Sequence, residues 1–145
     1  MKDPTKEVIK ACMDALATLE YDGVSVPVYE TVTAKTSKPY IFLESTNTVK
    51  GFSENKDSFS RQVFVDWQIV TEVISDTGNS TDCLQIANNA QELLKPTKKD
   101  VLDLGAEFKM ITLIFSNTPH VKEITENGIQ FRKTITLQSE VQQLN

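Results

Sequence analysis

Apolar and polar positions alternate through Val24, Val26, Val28 and Val32 with the period of two that a half-buried strand requires. The pattern then breaks and resumes as Pro39-Tyr40-Ile41-Phe42-Leu43, apolar at nearly every position. This predicts a first strand from about Val24 to Val32 and a second from about Pro39 to Thr46. The polar stretch Lys35 to Lys38 would join them as a hairpin. Pro27 has no N–H to donate, so the first strand is expected at a sheet edge or at a bulge. Ahead of it, Val8, Cys12, Ala15, Leu16 and Leu19 recur at helical spacing. Asp3-Pro4 supplies a capping side chain and a proline at the first helical position, and Tyr21-Asp22-Gly23 is read as the helix stop.

Residues 47 to 58, NTVKGFSENKDS, are polar and read as a loop between two long strands. The third strand, SRQVFVDWQIV, places Arg61, Val63, Val65, Trp67 and Ile69 on one face and Gln62, Phe64, Asp66 and Gln68 on the other. Cys83, Ile86, Ala87, Ala90, Leu93 and Leu94 then form the stripe of a second helix that ends at Lys95-Pro96. The fourth strand, EFKMITLIF, is apolar on both faces at Met110, Ile111, Leu113, Ile114 and Phe115. In the fifth, Ile129, Phe131, Ile135, Leu137 and Val141 oppose Gln130, Arg132, Thr134 and Thr136.

The order αβββαββ predicts an α+β fold: a largely antiparallel sheet of four to five strands with two helices on one face, as a single domain over residues 1–145. Two such helices cover one face only. Large apolar residues on both faces of the second, third and fourth strands therefore predict a cover for the other face, and a second subunit is favoured because the remaining segments are short and polar. Tyr40, Phe42, Trp67 and Ile114 are the candidate subunit contacts.

Composition narrows the function classes. A formal charge of −5 and a pI near 4.9 oppose nucleic-acid binding, and the one basic cluster, Lys95, Lys98 and Lys99, reads as a solvated helix end. No apolar run reaches signal-peptide or membrane-span length, so a soluble protein that is not conventionally secreted is expected. Cys12 and Cys83 both fall on helix stripes and read as buried thiols in a reducing compartment. Asn79-Ser80-Thr81 matches a glycosylation sequon but reads as a helix cap.

Candidate chemistry is sparse. The lone histidine, His120, lies in a connector, and neither cysteine has a partner at metal-ligand spacing. No phosphate-cradling glycine motif occurs, and the carboxylates do not pair. No catalytic residue, cofactor or metal is expected. Two lesser readings remain: a dimeric small-molecule-binding domain with Trp67, Tyr40 and Arg61 near a pocket, and a hydrolase using Asp66 or Glu72.

Three segments and the order of elements together resemble the tail-completion, or tail-terminator, proteins of long-tailed bacteriophages. They are Val26-Pro27-Val28-Tyr29-Glu30-Thr31-Val32 with Lys38-Pro39-Tyr40-Ile41-Phe42-Leu43; Val63-Phe64-Val65-Asp66-Trp67 with Leu84-Gln85-Ile86-Ala87; and Gly128-Ile129-Gln130-Phe131-Arg132-Lys133. Glu44-Ser45-Thr46 departs from the family, whose second strand often continues into a glycine, and the loop from Asn47 to Ser58 matches no family motif. The resemblance implies a non-enzymatic homo-oligomeric ring, usually of six subunits, on the head-proximal end of the tail tube. Such a ring stops tube growth and joins the tail to the head-closure or connector protein. DNA would pass its lumen without specific binding, and no membrane is involved. The protein would be made in the host cytoplasm and end in the neck of the virion tail. Another head–tail neck or closure protein is the neighbouring alternative. Within this reading Lys50, Phe52, Glu54, Lys56 and Asp57 form the candidate partner-facing loop, and the connector from Asn117 to Asn127 faces axial neighbours.

Overall fold

The structure is a computed structural model that describes residues 2–33, 35–50, 59–73, 79–117, 120–126 and 128–144. In chain order the elements are α1 (Thr5–Leu16), β1 (Glu20–Tyr21), β2 (Val24–Ser25), β3 (Val28–Tyr29), β4 (Tyr40–Lys50), β5 (Phe59–Val73), α2 (Thr81–Leu94), β6 (Phe108–Asn117), β7 (Val121–Thr125) and β8 (Gly128–Gln143). Among the described residues they build a two-stranded ribbon and a six-stranded sheet of order β3-β4-β5-β8-β6, with β7 also paired to β8. The fold is α+β. All ladders of the large sheet are antiparallel except β3 with β4.

The two longest strands form the spine. β5 pairs β8 from Phe59↔Gln143 to Val73↔Ile129, and their strict alternation puts Val63, Val65, Trp67 and Ile69 on the same face as Ile135, Leu137 and Val141. Both helices cover that face. Val8, Ala11, Cys12 and Leu16 from α1 and Cys83, Ile86, Ala87, Ala90 and Leu94 from α2 complete one buried cluster with it. Small residues at Ala11, Ala87 and Ala90 let the helices approach the sheet closely. Ser139 interrupts the apolar row of β8 and stays satisfied by donating to the Val63 carbonyl at 3.3 Å.

Both helix starts use side-chain acceptors. Asp3 Oδ1 accepts the Thr5 amide at 2.9 Å, and Pro4 stands between them as the boundary residue of α1. Asn79 Oδ1 accepts the Thr81 amide at 3.0 Å from one residue ahead of Ser80, the boundary residue of α2, whose own side chain makes no capping bond. These bonds fill donor positions that a helix start leaves open.

The first strand is where the structure departs from the pattern. The stretch from Val24 to Val32 is two short pieces, because Pro27 cannot continue a ladder and its carbonyl instead accepts the Ile41 amide at 2.9 Å. β3 runs parallel to β4 (Val28↔Ile41), so the two strands do not make the expected hairpin. The helix stop moves too: α1 ends at Leu16, and Tyr21-Asp22-Gly23-Val24 is itself a tight hairpin. Asp22 and Gly23 both take positive φ, 52° and 75°, as a two-residue Asp-Gly turn requires.

The other sheet face is not the apolar surface that strand composition alone suggested. Register places Phe64 beside Asn47 and Gln138, Asp66 beside Ser45 and Thr136, and Gln68 beside Phe42 and Thr134. Ser45 Oγ and Thr136 Oγ1 donate to the two Asp66 oxygens at 2.5 and 2.6 Å. Thr134 Oγ1 donates to Glu44 at 3.3 Å, and Arg132 Nη1 donates to Gln68 Oε1 at 3.2 Å. This face carries a hydrogen-bonded polar belt that water can cover, with Phe64 beside it and Tyr40, Phe42 and Val70 gathered at one end.

Candidate assembly surfaces

The four candidate contacts do not form one surface. Trp67 is corrected to a core residue: it is 1% exposed beneath the helices. Tyr40, Phe42 and Ile114 share the opposite face, since Tyr40 pairs Val70, Phe42 pairs Gln68 and Ile114 pairs Gln138. Tyr40 is buried between Tyr29 and Phe42, with ring centroids 6.3 and 5.9 Å away, whereas Ile114 is 55% exposed on the outer strand. Aromatic packing therefore closes the β3–β4 end of the face, and Ile111 and Ile114 open the β6 end. Lys50 ends β4, while Phe52, Glu54, Lys56 and Asp57 lie outside the described residues.

The alternative chemistries do not converge. Tyr40 and Trp67 point to opposite faces, and Arg61 sits at the far end of β5 near Asp3, so the three cannot line one pocket. Asp66 is held by two hydroxyls, and Glu72 forms an ion pair with Lys38 at 3.5 Å. Burial pushes the Cys12 thiol up to about 12 and the Cys83 thiol up to about 11, which keeps both protonated and unreactive. Among the described residues no cluster of His, Cys, Asp and Glu could hold a metal ion, and no helix is long and apolar enough to cross a membrane. His120 is exposed, its ring 6.4 Å from that of Phe131. Lys95 reaches from the end of α2 to the Leu113 carbonyl of β6, while Lys98 and Lys99 are exposed.

What the strand pattern missed is β7. The connector before the last strand pairs with β8 from Val121↔Arg132 to Thr125↔Gly128, directly beyond the part of that edge that β6 occupies. β6 and β7 thus act as one interrupted outer strand. β7 supplies no residue to the core cluster and leaves Val121 59% and Ile124 79% exposed. Glu123 pairs with Arg132 at 3.6 Å, and Thr125 Oγ1 donates to the Gly128 carbonyl at 3.1 Å. Five residues of mixed polarity were too weak a signal to be read as a strand.

A second surface lies at the opposite edge. The outward side of α1 and Glu30 line an open groove of about 660 Å³ whose floor is Ile9 and Met13, with Lys6, Lys10 and Asp14 along the helix. Here too apolar side chains lie beside charged ones.

Comparison with known proteins gives a fold and little else. No family model matches the chain, and no curated protein matches it. Among solved structures, a chain from the virion of a native gene transfer agent particle superposes with a TM-score of 0.57 at 13% sequence identity, over 96% of this chain and 91% of that one. The likeness is one of fold. It takes in both helices and the sheet together, and the two chains are of nearly equal extent.

Proposed function

We propose that this chain is a non-enzymatic structural component of a phage or phage-like virion. The observation that carries the proposal is whole-chain similarity in fold to a virion protein of a gene transfer agent particle. The more specific role follows from the resemblance of the strand and helix segments to tail-terminator proteins. In this reading copies of the chain close into a ring, six in number, on the head-proximal end of the tail tube. The ring stops tube growth and offers its other surface to the head-closure protein. The loop from Lys50 to Ser58, with Phe52, Glu54, Lys56 and Asp57, is assigned to one axial partner.

Two features support this reading over a ligand-binding domain. The candidate pocket residues diverge, and β7 is a strand without a role in the core, as expected of a part kept for assembly. An acidic chain also suits a DNA channel, because like charge lowers affinity for phosphate. The test is absolute mass by light scattering over a concentration and salt series, with negative-stain images of the heaviest species and of purified tails. A closed ring with an open centre, found at one end of the tube, is the expected result. A chain that stays monomeric alone and does not bind tail tubes would overturn the proposal.

A further inference from the structure

The β7 arm and the α1 groove have matching chemistry and lie at opposite edges of the same sheet. On one side of the arm Lys122 and Ile124 present a cation and an apolar knob, and the anion Glu126 follows in the turn just after the strand; all three are exposed. Extended chain sets Lys122 and Ile124 about 7 Å apart, with Glu126 directly beyond the end of the strand. In the groove, Lys6, then Ile9 and Met13, then Asp14 repeat cation, apolar floor and anion along α1. At the rise of a helix, Lys6 to Asp14 spans about 12 Å. Laid antiparallel, the arm sets Lys122 against Asp14 and Glu126 against Lys6, with Ile124 over Ile9 and Met13.

The local charges leave this pairing open. Lys10 meets Asp14 at 4.0 Å in a pair that is 78% and 72% exposed, so Asp14 can exchange partners at small cost. Glu30, on the other wall, adds a second anion for Lys122. Glu123 is already held by Arg132 and takes no part.

A chain cannot fill its own groove. β8, β5 and β4 lie between β7 and the β3 edge that carries Glu30, and neighbouring strands stand about 4.8 Å apart. We infer that the β7 arm of one copy seats Ile124 in the α1 groove of the next copy. Knob and groove are different patches, so the contact is heterologous and repeats head to tail, closing a ring where the rotation permits. The inference deepens the ring reading above and rests on it.

The experiment is a cross-link between copies. Ile124→Cys and Met13→Cys are made singly, mixed in equal amounts and oxidised; native Cys12 and Cys83 are 0% exposed and do not compete. A covalent dimer from the mixture, absent when Ile124→Cys is oxidised alone, is expected. Lys6→Glu and Glu126→Lys should each lower the assembled fraction at least severalfold, and the double variant should restore it. Lys6, Ile124 and Glu126 are exposed and Met13 is partly buried against the core, so unchanged melting temperatures verify folding. A ring whose mass survives Ile124→Asp and that gives no mixed cross-link overturns this contact and leaves the ring standing. Cross-linked rings that fail to bind tail tubes would instead retain the contact and overturn the tail reading. Protection of Ile124 only by a different virion protein, or a chain monomeric throughout with no cross-link, also overturns the inference.

Discussion

Two isoleucines on opposite faces of the sheet test whether the helix-covered face alone holds the chain together. Ile135 is 1% exposed, paired with Trp67 on one side and Asn117 on the other, whereas Ile114 is 55% exposed on the outer face. Ile→Ala removes three carbons in each case. At about 0.8 kcal/mol per buried methylene, Ile135→Ala loses roughly 2.4 kcal/mol of transfer free energy. The close-packed surroundings of Ile135 relax only partly, and the cavity raises the total to about 3 to 4 kcal/mol. Ile114→Ala leaves no cavity and loses about 1 kcal/mol, since more than half of that side chain is already wet. For a chain of 145 residues each kcal/mol moves the midpoint by about 3 °C. Thermal and urea unfolding at a concentration where the chain is monomeric should therefore show a drop near 10 °C for Ile135→Ala and near 3 °C for Ile114→Ala. Equal losses, or a larger loss at Ile114, would refute the assignment of a single structural core to the helix side.

Three further predictions address local features. Both thiols should resist an aromatic disulfide reagent at pH 8 in the native state and react fully in urea, because burial holds them up at about 12 and about 11; rapid native labelling of either would contradict their placement. Since these folded values exceed the ordinary thiol value of 9.0, the stabilisation they bring is complete below pH 9.0 and lost as pH climbs towards them, so urea midpoints should fall across that alkaline window. The Thr5 hydroxyl and amide hold the Asp3 carboxyl below its usual 3.8, so the stability difference between wild type and Asp3→Ala should be full above pH 3.8 and shrink as pH falls through the lowered value; a pH-independent difference would show that the charge does not matter. Gly23→Ala should cost about 1 kcal/mol through backbone strain at φ 75° alone, as no atom lies within 4 Å of the added methyl, and an unchanged urea midpoint would refute the positive-φ turn.

Long, strictly periodic segments were legible in the chain itself. β5 and β8 alternate without a break over most of their length, and the α2 stripe from Cys83 to Leu94 repeats at helical spacing, so element type and buried face follow from residue order. The burial of both cysteines was legible for the same reason. Short elements were not. Asp22-Gly23 is a hairpin signal that a helix-stop reading absorbed, and β7 is too brief and too mixed to carry a period. The Pro27 break was visible, but its partner was not, because a lost N–H says where a ladder stops and not which strand lies alongside.

Local residue order thus determined the α+β class and the helix-covered core of β5 and β8. Only the tertiary structure decided that β3 runs parallel to β4, that β6 and β7 share one edge of β8, and that Asp66, Ser45 and Thr136 meet in a polar belt on the second face. It also brought Ile9 and Met13 together with Glu30 on one edge and set Ile124 on the other. Strand order and register come from pairings between residues far apart in the chain, such as Asp66 with Thr136, and no local period encodes which distant strand a given edge will meet.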